Sequence, residues 1–371
     1  MRTGAGQITI RSSGDQFFLE NMMHMKVLIR TIFFIGLCAS LLVQSAQAAE
    51  NIKFKLVHRY PVGGDGKWDL LAFDARRHHL FISRSTHVQV IDADSGIVAG
   101  DIPGTDGVHG IALAEDLNTG FTSNGKSNSI TVFDLVTLKV IATINISGLN
   151  PDVILYEPKS KHIFTFNGRS ANATVIDALS LKEIDTIALP GKPELAVSDN
   201  AGRIFVNIED KNEIAVIDSA SDKVLKSYPL GNGIEPTGLA IDRRHERLFS
   251  VCTNRKMVIL DSESGRVIDE VAIGDGPDSA AFDQDLGIAF SSNGDGTLTL
   301  VKEDDQAHFS VMGNVRTQMG ARTMAYDEVR HRAYLVTASF GKTPPTIEGQ
   351  PKPKPPIIQN SFVVLVVSSY P

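Results

Sequence analysis

The sequence predicts an all-β fold, a seven-bladed β-propeller of four-stranded antiparallel blades, and three observations carry that prediction. An apolar pair followed by Asp recurs in Val90-Ile91-Asp92, Val132-Phe133-Asp134, Val175-Ile176-Asp177, Val216-Ile217-Asp218 and Ile259-Leu260-Asp261, with Asp spacings of 42, 43, 41 and 43. An aromatic inside a short β-rich run recurs at Phe81, Phe121, Phe164, Phe205, Phe249, Phe290 and Tyr334, spaced by 40, 43, 41, 44, 41 and 44 residues. The last repeat runs out of chain before a fourth strand, and Phe54 to Tyr60, ahead of the first repeat, can supply it. That pairing removes two exposed sheet edges and closes the ring. A unit of about 42 residues holding four short strands is the arithmetic of a propeller blade.

Composition agrees with a large core. The chain has 371 residues, 42% hydrophobic and 21% charged, which excludes disordered and collagen-like classes. Its two Cys exclude a disulfide scaffold.

Residues 1–24 are polar and unpatterned and read as an upstream extension, with the true start at Met22, Met23 or Met25. Residues 25–48 read as a signal peptide. Lys26 and Arg30 give a basic start, Thr31 to Val43 an apolar run, and Ala46-Gln47-Ala48 a cleavage motif. The run is too short to span a membrane. Cleavage near Ala48 implies a periplasmic or secreted protein. It leaves 32 basic and 41 acidic residues, a net charge of −9 against −7 for the whole chain. An acidic surface disfavours nucleic acid, whose binding needs many Lys or Arg on phosphates. Cys38 leaves with the signal, and Cys252 reads as a buried, inert thiol.

Residues 49–371 read as one seven-bladed propeller. Pro236 to Asp242, Arg247 to Val251, Met257 to Asp261 and Arg266 to Asp269 are the four strands of one unit, separated by turn residues. Residues 340–360 carry six Pro and three Lys, too many Pro for a central strand, and read as a long loop between the second and third strands of the last blade.

With the repeats aligned, Leu80-Phe81-Ile82-Ser83, Gly120-Phe121-Thr122-Ser123-Asn124, Ile204-Phe205-Val206-Asn207 and Ala333-Tyr334-Leu335-Val336-Thr337 resemble the Tyr-Val-Thr-Asn signature of exported YVTN-repeat (YncE-like) seven-bladed propellers. Leading Gly-x-Pro segments and trailing Val-Ile-Asp-x-x-(Ser/Thr)-x-Lys-Val segments match as well, over residues 52 to 367. The sixth unit departs, with Leu300-Val301-Lys302 in place of the Asp. The resemblance implies an exported periplasmic or surface propeller, in a class with one member associated with single-stranded DNA. Related propellers include lactonase-like hydrolases and quinone-dependent dehydrogenases.

In such a ring the loops leading into the innermost strands and those between the second and third strands open on one face. The first set gives Asp69, Gly110, Asp152, Glu194, Thr237, Asp278 and Arg322. The second gives Arg84, Asn124, Asn167, Asn207, Asn254 and Asn293, with Trp68 and His109 beside the first. Convergent polar groups at a concave mouth are the default site in this fold.

Three readings stay open. These residues cap strands and form Asn-Gly hairpins. Or the carboxylates hold Ca²⁺, another divalent cation or a cationic ligand. Or a carboxylate acts as a base while His109 or Arg322 stabilises negative charge. The sequence lacks C-x-x-C-H, H-E-x-x-H and G-x-S-x-G. The expectation is a monomeric binding propeller for a small ligand or protein partner, with no assigned catalytic residue. The alternative is a metal-dependent hydrolase or a quinone-dependent dehydrogenase.

Overall fold

A computed structural model describes residues 4, 52–64, 66–346 and 353–370. The expected extension and signal peptide lie outside the described residues except for Gly4, as do 347–352 of the Pro-rich loop. The chain divides into two compact units, residues 1–53 with Pro371, and Phe54–Tyr370; the second holds the sheets.

The described residues form strands and two single 3-10 turns. After β1 (Lys53–Pro61) come β2 (Leu71–Asp74), β3 (His79–Ser83), β4 (Ser85–Asp92), β5 (Val98–Ala114), β6 (Thr119–Asn124), β7 (Ser129–Asp134) and β8 (Val140–Asn145). The next eight are β9 (Pro151–Glu157), β10 (His162–Asn167), β11 (Asn172–Asp177), β12 (Lys182–Ala188), β13 (Pro193–Ser198), β14 (Arg203–Ile208), β15 (Glu213–Asp218) and β16 (Lys223–Pro229). Then follow β17 (Pro236–Asp242), β18 (Arg247–Cys252), β19 (Lys256–Asp261), β20 (Val267–Ala272), β21 (Pro277–Asp283), β22 (Ile288–Asn293), β23 (Thr297–Glu303) and β24 (Phe309–Arg316). The last three are β25 (Met324–Asp327), β26 (Arg332–Thr337) and β27 (Val363–Tyr370).

They make five four-stranded sheets and one seven-stranded sheet, all antiparallel in the pairings described. The larger sheet runs β2 to β8 because β5, 17 residues long, serves two ladders. Its first part pairs with β4, and Val108 to Ala114 pair with β6. One sheet is ordered β1-β27-β26-β25, so the N-terminal strand completes the last blade as expected.

The repeat residues explain the ladders. All seven repeat aromatics, from Phe81 to Tyr334, are fully buried. Each sits on the second strand opposite an aliphatic of the third, as in Phe164↔Val175 and Phe205↔Val216. Between consecutive sheets lie apolar clusters; one joins Phe205 and Val216 to Leu248 and Leu260. Another joins Tyr334 and Val366 of the last sheet to Leu80 and Ile91 of the first. At a typical 25 cal/mol per Å² these clusters are the main stabilising term. The repeat Asp ends the third strand and caps the turn that follows: Asp261 Oδ1 accepts from Ser264 N at 2.9 Å and Asp177 Oδ1 from Ser180 N at 2.6 Å.

The inner strands touch in a closed cycle, β2 to β5, β9, β13, β17, β21, β25 and back to β2. Bulges at the start of these strands matter for the site. The register shifts between Phe166 and Asn167, Pro193 and Ala196, Pro236 and Leu239, and Pro277 and Ser279. The residues skipped by the ladder include Asp152, Glu194, Thr237 and Asp278. A bulge frees a residue from pairing and re-aims its side chain.

The described residues of the Pro-rich segment lie between β26 and β27. Its base is a short antiparallel ladder, with Phe340 opposite Ile357 and Gly341 N donating to Pro356 O at 2.8 Å. Cys252 is buried and free, and burial pushes its thiol up to about 12, so no reactive thiolate forms near neutral pH.

Candidate functional site

At the bulged ends of the inner strands, the first residue set converges. Asp69, Asp152, Glu194, Glu209, Asp278 and Arg322 line one cavity of about 330 Å³ at the channel mouth. His109 Nδ1 donates to Asp69 Oδ2 at 2.6 Å and lies 3.5 Å from Asp152 Oδ1. Lys192 Nζ donates to Glu194 Oε1 at 2.8 Å and also pairs with Glu209. Arg322 Nε lies 3.2 Å from Asp278 Oδ2. Five carboxylates thus face three basic groups.

Burial controls the electrostatics. It pushes Glu194 up to about 7 against the opposing pull of Lys192. It pushes Asp278 up to about 6 against Arg322, and its side chain is only 17% exposed. Burial also raises Asp152, with His109 opposing. The hydrogen bond to Asp69 raises His109 above its ordinary value, against burial and with help from Asp152. Burial would lower Lys192, but Glu194 and Glu209 hold it well above the usual lysine value. Burial therefore raises Asp152, Glu194 and Asp278 together, so these mouth carboxyls hold their protons to higher pH than they would in water.

Asp69, His109 and Asp152 each offer one ligand atom, and the three atoms lie within 4.8 Å of one another. The donors would suit a divalent ion. His109 and Asp69 already pair there at 2.6 Å, and an ion would have to displace that contact.

The second residue set does not reach the mouth. Asn124, Asn167 and Asn293 are fully buried inside their blades. Asn167 Nδ2 donates to Asn172 Oδ1 at 2.9 Å and Thr174 Oγ1 at 3.0 Å, and Thr165 Oγ1 donates back to its Oδ1 at 3.2 Å. Asn124 and Asn293 repeat this latch with Thr131 and Thr299, each at 2.9 Å. Asn207 is buried too and links neighbouring blades, donating at 3.0 Å to the carbonyls of Thr237 and Gly238. Asn254 fastens the loop before β17, donating to Asn232 O at 2.8 Å. The expectation of a second ring of ligand groups is therefore corrected. For Asn124, Asn167, Asn207 and Asn293 the strand runs to or through the Asn, so its amide serves the blade; Asn254 lies in the turn after β18 and is spent on the loop before β17.

Arg84 is 2% exposed, with its guanidinium 3.7 Å from the Phe362 ring centre and Nη1 donating to Gln89 Oε1 at 3.0 Å. Trp68 packs on Phe362 at 5.2 Å and Phe340 at 6.4 Å, which anchors the base of the Pro-rich loop. Neither faces the cavity. Gly110 N donates to Ser123 Oγ at 2.8 Å, and Thr237 Oγ1 donates to Pro277 O at 2.9 Å.

Glu209 and Lys192 were not among the sequence candidates. In the fourth unit β14 runs on to Ile208, so Glu209, two residues after Asn207, is the first loop residue. Lys192 is the middle residue of Gly191-Lys192-Pro193, and the Gly-x-Pro pattern was the signal that could have found it.

No protein-family profile matches the chain, and no curated protein matches it. Among solved structures, one described as Kuenenia stuttgartiensis hydrazine synthase is similar with a TM-score of 0.64 at 16% identity, covering 71% of this chain and 91% of that chain. At that identity the likeness speaks for the β-propeller fold alone. Among the described residues no helix is long and apolar enough to cross a membrane.

Proposed function

We propose that this is an exported seven-bladed propeller of the YVTN-repeat (YncE-like) class that binds a small positively charged ligand at its channel mouth. One observation carries the binding reading: five carboxylates against three basic groups around a cavity of about 330 Å³. Such a surface attracts cations and repels anions. The closed cycle of inner-strand contacts supports the blade number, the Lys26-to-Ala48 pattern supports export, and the repeat signature supports the class.

Putrescine is a suitable probe, since its two ammonium groups fit a cavity of this size and charge. Titration calorimetry at pH 7.5 is expected to show saturable binding that is lost in Asp152→Asn combined with Asp278→Asn. Absence of heat from putrescine, spermidine and Ca²⁺ alike would overturn the reading. A divalent ion on Asp69, His109 and Asp152 is the second reading, favoured by the closeness of those three ligand atoms. It opens the route to a metal-dependent hydrolase, and Ca²⁺ binding that putrescine does not compete with would support it.

A further inference from the structure

A second cluster of ligating side chains lies at the opposite ends of the strands, far from the mouth. Asp242 ends β17, His245 is in the turn that follows, and Glu303 ends β23 in the next sheet. With β17 running from Pro236 to Asp242, about 20 Å of strand separates this cluster from the mouth. His245 Nδ1 is 2.7 Å from Asp242 Oδ2 and 3.1 Å from Glu303 Oε2, and the three ligand atoms lie within 4.8 Å of one another.

The repeats show that this cluster departs from the turns around it. Equivalent acids neutralise their second oxygen locally. Asp74 Oδ2 accepts from Arg77 Nη1 at 2.8 Å, and Asp327 Oδ2 faces Arg330 Nη1 at 3.5 Å. Asp283 Oδ2 accepts from both Tyr326 Oη and His331 Nδ1 at 2.7 Å. At Asp242, Oδ1 accepts from Arg244 N at 2.8 Å, but the buried Oδ2 has no hydrogen-bond partner. The Nδ1 of His245 approaches it closely while directing its hydrogen bond to Glu303. Asp242 is 1% exposed, so water does not compensate this oxygen.

Glu303 is the second departure. It follows Lys302, which takes the place of the repeat Asp. In the other repeats the residue after that Asp is Ala93, Leu135, Ala178, Ser219 or Ser262, each at most 5% exposed. Only here does a carboxylate occupy that buried position, with a side chain 6% exposed. Nearby cations are engaged elsewhere: Arg247 with Asp261 at 3.1 Å, Arg244 with Asp285 at 3.5 Å, and Lys302 with Leu286 O at 2.8 Å.

We propose that Asp242, His245 and Glu303 form a divalent metal site bridging two adjacent sheets. Separations of 2.7 and 3.1 Å between donors are close to the ~3 Å edge of an octahedron with metal–ligand bonds of about 2.1 Å. An imidazole beside two carboxylates selects Zn²⁺ or a similar first-row ion over Ca²⁺ or Mg²⁺. A cavity of about 290 Å³ opens on His245 and Glu303 and leaves room for water or a ligand on the remaining positions.

Zn²⁺ titration of the purified chain by calorimetry, with Co²⁺ absorption as a spectroscopic probe, tests this. The expected result is one Zn²⁺ per chain, unchanged in His109→Gln and weakened at least tenfold in Glu303→Ser and His245→Arg. Both substitutions copy residues that other repeats carry at those positions, so folding is expected to persist and is checked by thermal melting. If Glu303→Ser fails to fold, His245→Arg and the visible bands of the Co²⁺ form still decide. Zn²⁺ affinity within twofold of wild type in the folded variants, loss of binding in His109→Gln instead, or no Zn²⁺ binding at all would overturn the proposal.

Discussion

His109 and Asp69 stand 40 positions apart in the chain, yet Nδ1 of the first meets Oδ2 of the second at 2.6 Å. The pair joins the first two repeats at the mouth, and it holds the imidazole proton. A histidine raised in the folded state adds stability that is complete below the unfolded value of about 6.5 and is lost as pH rises through its folded value. Comparing wild type with His109→Gln from pH 5 to 9 by denaturant unfolding should show a stability gap in acid that closes in alkali. A gap independent of pH would mean that the contact is packing alone.

Asp278 has the same sign in a lower pH window, through a carboxyl rather than an imidazole. Its carboxyl, raised to about 6 by burial, favours the protonated native state. Stability from this group is therefore lost as pH rises from about 4 to 6, with a ceiling near 2–3 kcal/mol. Asp278→Asn, a neutral copy, is expected to be more stable than wild type at pH 7.5 by about 1–2 kcal/mol and equal to it at pH 4. Arg322 loses little, since its side chain is 55% exposed. Equal stability at both pH values would refute the burial argument.

The same carboxyls couple ligand to protons. A cation at the mouth favours ionised Glu194 and Asp278, so putrescine affinity should rise between pH 5.5 and 8 and binding should release protons. Calorimetry in two buffers of different ionisation heat measures that release directly. Affinity that falls with pH would place the ligand elsewhere.

Asn167 tests the latch. Removing its amide strands buried Thr174 and half-buried Asn172, and Asn167→Ala is expected to cost about 1–3 kcal/mol with putrescine affinity unchanged. A ligand-binding role predicts the reverse: loss of affinity at intact stability.

The period, strand order and N-terminal closure were legible because each unit repeats the same buried aromatic and the same Asp-capped turn. The inner-strand half of the site was legible because Asp152, Glu194 and Asp278 each follow a Pro that fixes where the ladder starts. The outer half was not, because a strand end cannot be read to one residue. Asn167 and Glu209 occupy the same stretch of their units, and only the ladder length decides that one is interior and the other lines the mouth. Asp242 and Glu303 escaped for another reason, since no pattern inside one repeat reports a contact between two.

Gly120 and Phe133 show how repeats diverge by compensation. They face each other across β6 and β7, where other units pair two aliphatics such as Ile163 and Ile176. A Cβ on Gly120 would collide with the Phe133 ring. Gly120→Ala is expected to destabilise by about 1–3 kcal/mol, and adding Phe133→Leu should recover much of it. Additive effects in the double variant, measured by denaturant unfolding, would deny the pairing.

The seating of β1 against β27 also sets the timing of folding. Strand β1 has no partner until β27 exists, about 300 positions later. That blade is thus a clasp that shuts only once β27 has been made. Until then a growing polypeptide carries two open sheet edges, and a chain halted short of Val363 would leave both exposed to pairing with its neighbours.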